Sequence, residues 1–136
     1  MSLIEWNDRL SVKIQSIDDQ HRKLIVMINT LHDSMQSGGS KEVVGEVLEN
    51  LADYTVKHFQ YEEKIFAEYG YLEAPKHKKE HDELVERVME LKNKFEANPN
   101  FIISIHVLRF LKNWLETHIQ GTDKLYSDFL IQRGVK

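Results

Sequence analysis

Apolar residues recur along this chain at helical spacing, in four stretches parted by glycine and proline. Leu24, Ile28, Leu31 and Met35 form the first stripe, which Gly38-Gly39 closes. Val44, Leu48, Leu51, Thr55, His58, Glu62, Ile65 and Phe66 share one face of the second, as far as Gly70. Pro75 suits the first turn of a third helix, whose inner face runs through His77, His81, Leu84, Val88, Leu91 and Phe95. Asn98-Pro99 ends that helix and starts a fourth, marked by Ile105, Leu108, Leu111, Trp114 or Leu115, and His118. The spacing predicts helices over about residues 17–37, 41–69, 74–97 and 100–120, and a last apolar segment over about 123–132. Ser16 to Asp19 reads as a capping box, and Ser40 as a second N-cap with Glu42 near the positive helix end. Gly45 costs helix propensity and marks close packing. Before the first helix, Trp6, Leu10, Val12 and Ile14 predict an ordered arm packed on the body, with a short extended stretch at the alternating positions. Four long amphipathic segments with short loops imply an all-α fold. The expected form is an up-down-up-down antiparallel four-helix bundle with an N-terminal arm and a short C-terminal helical segment, one domain over 1–136.

Composition narrows the chemistry by exclusion. A chain of 136 residues can bury one real core. The absence of cysteine rules out disulfides, thiolate metal sites and thiol catalysis. The net charge of −4 comes without any basic block, so nucleic acid is not an expected partner. MSLIEWNDRLSV lacks the apolar core of a signal peptide, and no apolar run approaches membrane-spanning length. The expectation is a cytoplasmic monomer with no membrane partner.

The polar residues that interrupt the apolar stripes carry the function. His58 and Glu62 stand four apart, as do His77 and His81. Such pairs lie about 40° apart around a helix and project from one face. His21 joins the inner stripe of the first helix, and His118 that of the fourth. Asp123 follows His118 by five residues, about 140° away on a regular helix. To aim at the same point the backbone must loosen near Gly121, as a helix end or a wide turn. A lone histidine on an apolar stripe is ordinarily a core or rim residue, and His32 and His106, without partners at four-residue spacing, stay in that class. Glu63, Lys64, Lys78 and Lys79 read as solvated. Burying five imidazoles with two carboxylates is different, because the charge is costly unless cations neutralise it.

Coordination arithmetic favours two ions. Five imidazoles supply five bonds, two bridging carboxylates four, and a shared oxo or hydroxo two, which leaves one position vacant around an octahedral pair. A single vacancy suits a small diatomic ligand. Imidazole with bridging carboxylate in a helical bundle points to iron, Fe2+ or Fe3+. Oxygen-activating di-iron bundles usually carry Glu-x-x-His motifs and more carboxylates, and this chain has no such motif. A nitrogen-rich set stabilises highly oxidised iron poorly, so reversible holding of dioxygen is expected instead of its cleavage.

DDQHR, HFQYEE, HKKEH and WLETHIQGTD, together with the arm around Trp6, resemble the hemerythrin family, specifically its single-domain bacterial members. The resemblance spans essentially the whole chain. It implies that His77, His81 and His118 bind one iron, that His21 and His58 bind the other, which keeps the vacancy, and that Glu62 and Asp123 bridge them. It also implies that Leu24, Trp114 and Ile119 line the oxygen pocket, although core packing is their plain reading. Dioxygen would bind end-on, with nitric oxide or small anions as other ligands, for oxygen storage, delivery or buffering and not for enzymatic turnover. Alternatives of another class are oxygen, redox or nitric oxide sensing, and a di-iron oxidase or scavenging enzyme. A zinc hydrolase is a further rival, since HKKEH also fits H-x-x-E-H with Glu80 as base, but it leaves His58, Glu62, His118 and Asp123 unused.

Overall fold

The computed structural model describes residues 3–98 and 102–136. Its main elements are α1 (Gln15–Gln36), α2 (Lys41–Tyr69), α3 (Ala74–Ala97) and α4 (Ile105–Thr117). A six-residue π-helical turn, His118–Asp123, then leads into α5 (Lys124–Ile131). The fold is an all-α antiparallel four-helix bundle, with no strand among the described residues. α2 packs between α1 and α3, and α4 closes on α1. One half of the interior is aliphatic, built from Leu48, Leu51, Val88, Leu91, Leu108 and Leu111, all buried. The other half holds the histidines and acids.

Helix ends follow local chemistry. The Ser40 side chain accepts from Val43 N at 3.2 Å, and Gly70 ends α2 at φ 70°, where Tyr71 N bonds back to Phe66 O at 3.0 Å. Gly45 lets α2 approach α3, because a Cβ there would stand 2.9 Å from Phe95 Cε1. Pro75 occupies the first turn of α3. The fourth helix differs from expectation. Pro99 and the proposed start at about residue 100 lie outside the described residues. The helix itself begins only at Ile105, where the extended Ser104 accepts from Val107 N at 3.3 Å.

The capping box at Ser16 does not form. α1 begins at Gln15, so Ser16 is already inside the helix, and its hydroxyl accepts from Tyr61 Oη at 3.0 Å. The neighbouring acid takes over: Asp18 accepts from Val12 N at 2.8 Å and Ser11 Oγ at 2.6 Å. Those bonds hold the bend at Lys13, whose φ of 62° is left-handed. Leu10 closes a short 3₁₀ turn (Asp8–Leu10), and Leu10, Val12 and Ile14 are all buried. Ile4 exchanges two 2.9 Å backbone bonds with the Asn29 amide, and Ser127 Oγ donates to Val12 O. The arm is thus tied to both α1 and α5.

Candidate metal centre

Each bundle helix delivers its donors by register. His21 comes from α1, His58 and Glu62 from α2, His77 and His81 from α3. His118 and Asp123 open and close the π-helical turn. In that wider turn residues five apart come into line, which a regular helix would forbid. His118 Nε2 therefore lies 3.0 Å from Asp123 Oδ1. The backbone loosens around Gly121, as a wide turn that runs on into another helix.

All seven side chains are at most 3% exposed, and they meet. Asp123 Oδ1 is 2.9 Å from His77 Nε2, while Asp123 Oδ2 is 3.2 Å from His21 Nε2. Glu62 Oε1 is 3.2 Å from His58 Nε2 and 3.3 Å from His81 Nε2. Donor atoms of Glu62, His77, His81, His118 and Asp123 lie within 4.8 Å of one another, as do those of His21, His58 and Glu62. The three-and-two division of the histidines is therefore present in space, with Glu62 common to both groups and Asp123 reaching across.

The donor set suits a pair of cations. Nε2 of His21, His77, His81 and His118, Glu62 Oε1 and both Asp123 oxygens are buried and make no hydrogen bond, although nitrogen and oxygen stand only 2.9–3.3 Å apart. Their lone pairs converge on shared points instead of on each other. Neighbouring ligands on one ion, each at a bond length of about 2.1 Å, would be separated by about 3 Å, the same spacing.

Outside the cage, three rings are clamped through Nδ1. His58 Nδ1 lies 2.7 Å from Gln20 Oε1, His81 Nδ1 2.9 Å from Glu63 Oε2, and His118 Nδ1 3.1 Å from Glu80 Oε1. Acceptors there fix the tautomer that leaves Nε2 free to bind metal. Thr122 Oγ1 steadies Glu80 at 2.8 Å, and Tyr126 Oη donates to Glu62 Oε2 at 2.5 Å. Phe59 stacks on His81 at 3.8 Å and Trp114 on His118 at 4.5 Å. Glu63 is thus a ring clamp, a correction to its solvated reading, because the turn of α2 that aims Glu62 inward swings its neighbour against α3. Glu80 points at the outer edge of His118, away from the cage interior where a hydrolytic base would act. Neither role has a mark in the sequence, nor do those of Gln20 and Tyr126; only proximity to the histidine motifs hinted at them. His32, 3.8 Å from Asp33, and the exposed His106 lie outside the cage.

The metal-free electrostatics show how much positive charge the cage demands. Burial pulls the His118 imidazolium down, but Asp123, then Glu62 and Glu80, outweigh it and push the ring up to about 9. Burial favours the protonated form of both carboxylates. The surrounding imidazoles nonetheless hold Glu62 below the ordinary carboxylate range and Asp123 well below it. His58 goes the other way, lowered by burial despite Glu62. Tyr126 is raised well above the usual phenol range by burial and by Asp123 and Glu62.

The three apolar residues near the cage sit differently. Leu24 borders a cavity of about 20 Å³ whose walls include Ile28, Leu51, Phe59, Leu84 and Leu115. That is room for about one water-sized molecule. Trp114, half-buried, covers the outer face of His118, and Ile119 is wholly buried in the π-helical turn.

Comparison with known proteins agrees with this geometry. Residues 12–130 match the family model "Hemerythrin HHE cation binding domain". A bacteriohemerythrin of Stenotrophomonas maltophilia is 39% identical over 94% of this chain and 82% of its own length. One from Methylococcus capsulatus is 37% identical over 96% of this chain and 98% of its own. A wild-type hemerythrin crystal structure superposes with a TM-score of 0.88 at 35% identity, covering 93% of this chain and 97% of that one.

Proposed function

The chain belongs to the hemerythrin family, and on that premise we propose that it binds dioxygen reversibly at a non-haem di-iron centre, for storage, delivery or buffering. The observation that carries this reading is the buried cage of five imidazoles and two carboxylates, its histidines divided three and two, with Nε2 of His21, His77, His81 and His118, Glu62 Oε1 and both Asp123 oxygens unpartnered. His77, His81 and His118 would hold one iron, His21 and His58 the other, and Glu62 and Asp123 both. When bound, two ferrous ions would supply the electrons and the open position that let dioxygen attach and leave. The protein's part is positional and electrostatic. Gln20, Glu63 and Glu80 accept hydrogen bonds from the outer Nδ1–H groups of His58, His81 and His118 and so aim Nε2 inward. Asp123 and Glu62 stay ionised and match the cationic charge. Leu24, Ile119 and the Phe59 and Trp114 rings keep bulk water from the donors. A neutral-nitrogen majority supports release of the ligand unchanged instead of turnover.

The test is metal analysis coupled to optical spectra. Protein reduced without air is exposed to dioxygen, which is then removed. Two irons per chain and a spectral change that reverses are expected. Irreversible oxidation, substrate consumption, or a single ion per chain would overturn the proposal.

A further inference from the structure

Tyr126 is the bulkiest of the fully buried side chains among the described residues, and it touches the cage without belonging to the ligand set. It lies on α5, three residues after Asp123, so the π-helical turn that places Asp123 also places the phenol. Its ring is wedged among Phe66 at 5.3 Å, His77 at 5.5 Å and Tyr71 at 6.4 Å, which leaves the hydroxyl little freedom. That hydroxyl donates to Glu62 Oε2 at 2.5 Å.

The bond makes the two carboxylates unlike. Asp123 keeps both oxygens free of hydrogen bonds, one toward His77 and His118 and the other toward His21. Glu62 turns only Oε1 to the histidines of both groups, and its Oε2 is occupied by the phenol. A hydrogen bond donated to a ligating carboxylate draws electron density away from its oxygens. A weaker donor stabilises ferric iron less than ferrous iron, so the reduced pair is favoured.

We propose that Tyr126 is a positioning residue that sets the rotation of the Glu62 carboxylate and lowers its donor strength, holding the iron pair in the reduced state that takes up dioxygen. The inference rests on the di-iron reading above and assigns a control of redox poise to a residue outside the cage.

The experiment compares wild type, Tyr126→Phe and Leu130→Ala. Leu130 is fully buried on the same helix and serves as a packing control. Each protein is loaded with iron under anaerobic conditions, its iron is counted, and its midpoint potential and autoxidation rate are measured. Metal-free samples are melted in parallel. Tyr126→Phe should keep two irons, show a lower potential and autoxidise about tenfold faster. Its metal-free form should melt below wild type, since Glu62 Oε2 loses its donor. Leu130→Ala should melt lower with its potential unchanged. An unchanged potential in Tyr126→Phe, or an equal shift in Leu130→Ala, overturns the proposal. If the phenylalanine variant does not load iron, 3-fluorotyrosine placed at position 126 decides the matter. It is nearly isosteric and a stronger donor, so the potential should rise; no shift, or a fall, overturns the proposal. Wild-type protein without two irons or without reversible oxygenation would remove the di-iron reading itself, a distinct failure visible before any variant is made.

Discussion

Stripping the cage of metal should leave a protein whose stability falls as pH rises, through His118. In the metal-free state the ring is held at about 9, against 6.5 when unperturbed, chiefly because Asp123 and Glu62 overcome the burial cost. A folded-state value above the unfolded one means that the stabilisation is fully present below pH 6.5 and is lost as pH rises through about 9. At 1.36 kcal/mol per unit the loss is about 3 kcal/mol, and for a chain of this length it should lower Tm by about 10 °C. The assay is thermal melting followed by circular dichroism, from pH 6 to 10, in excess chelator and again with metal restored. The loaded protein should be nearly flat over that window, because bound cations replace the proton that the carboxylates otherwise demand. His118→Asn should flatten the metal-free curve. A flat metal-free profile in the wild type, or an equal slope with metal bound, would refute the argument that this cage is built around missing positive charge.

Other consequences can be checked as directly. His77→Ala should remove most iron binding, measured as metal per chain, since it takes away one nitrogen facing Asp123 Oδ1. Leu24→Ala should enlarge the cavity beside Phe59, cost about 2–5 kcal/mol in denaturant unfolding, and speed autoxidation; an unchanged rate would show that Leu24 does not guard the site. Glu80→Ala should leave the fold intact and weaken metal affinity by about 10–100-fold in a chelator competition, because His118 loses its outer clamp.

Much of the cage was legible before folding because helical register is a local property. His58 with Glu62 and His77 with His81 share a face by spacing alone, and the apolar stripe of each helix says which face points inward. Even the distortion after His118 followed from arithmetic, since five residues do not close on a regular turn. Glycines and serines marked Gly70 and Ser40 correctly for the same reason: their cap bonds reach only a few residues. The local rule failed at Ser16 because α1 already starts at Gln15, which leaves Ser16 inside the helix, and the box acid Asp19 accepts from Gln15 Nε2 instead. Ser104 shows the opposite case, a cap that works locally but stood inside the stretch expected to be helical.

What the sequence determined by itself is therefore the set of helices, the faces they bury and the donor atoms on those faces. Tertiary structure alone decided the rest. It set which carboxylate oxygen meets which imidazole, that Glu63 and Glu80 turn to the backs of His81 and His118, and that Tyr126 reaches across 64 residues to Glu62. The reason is range. Periodicity records orientation about one axis, whereas these contacts depend on how separate helices are rotated and raised against one another, and the packing of the whole core sets that.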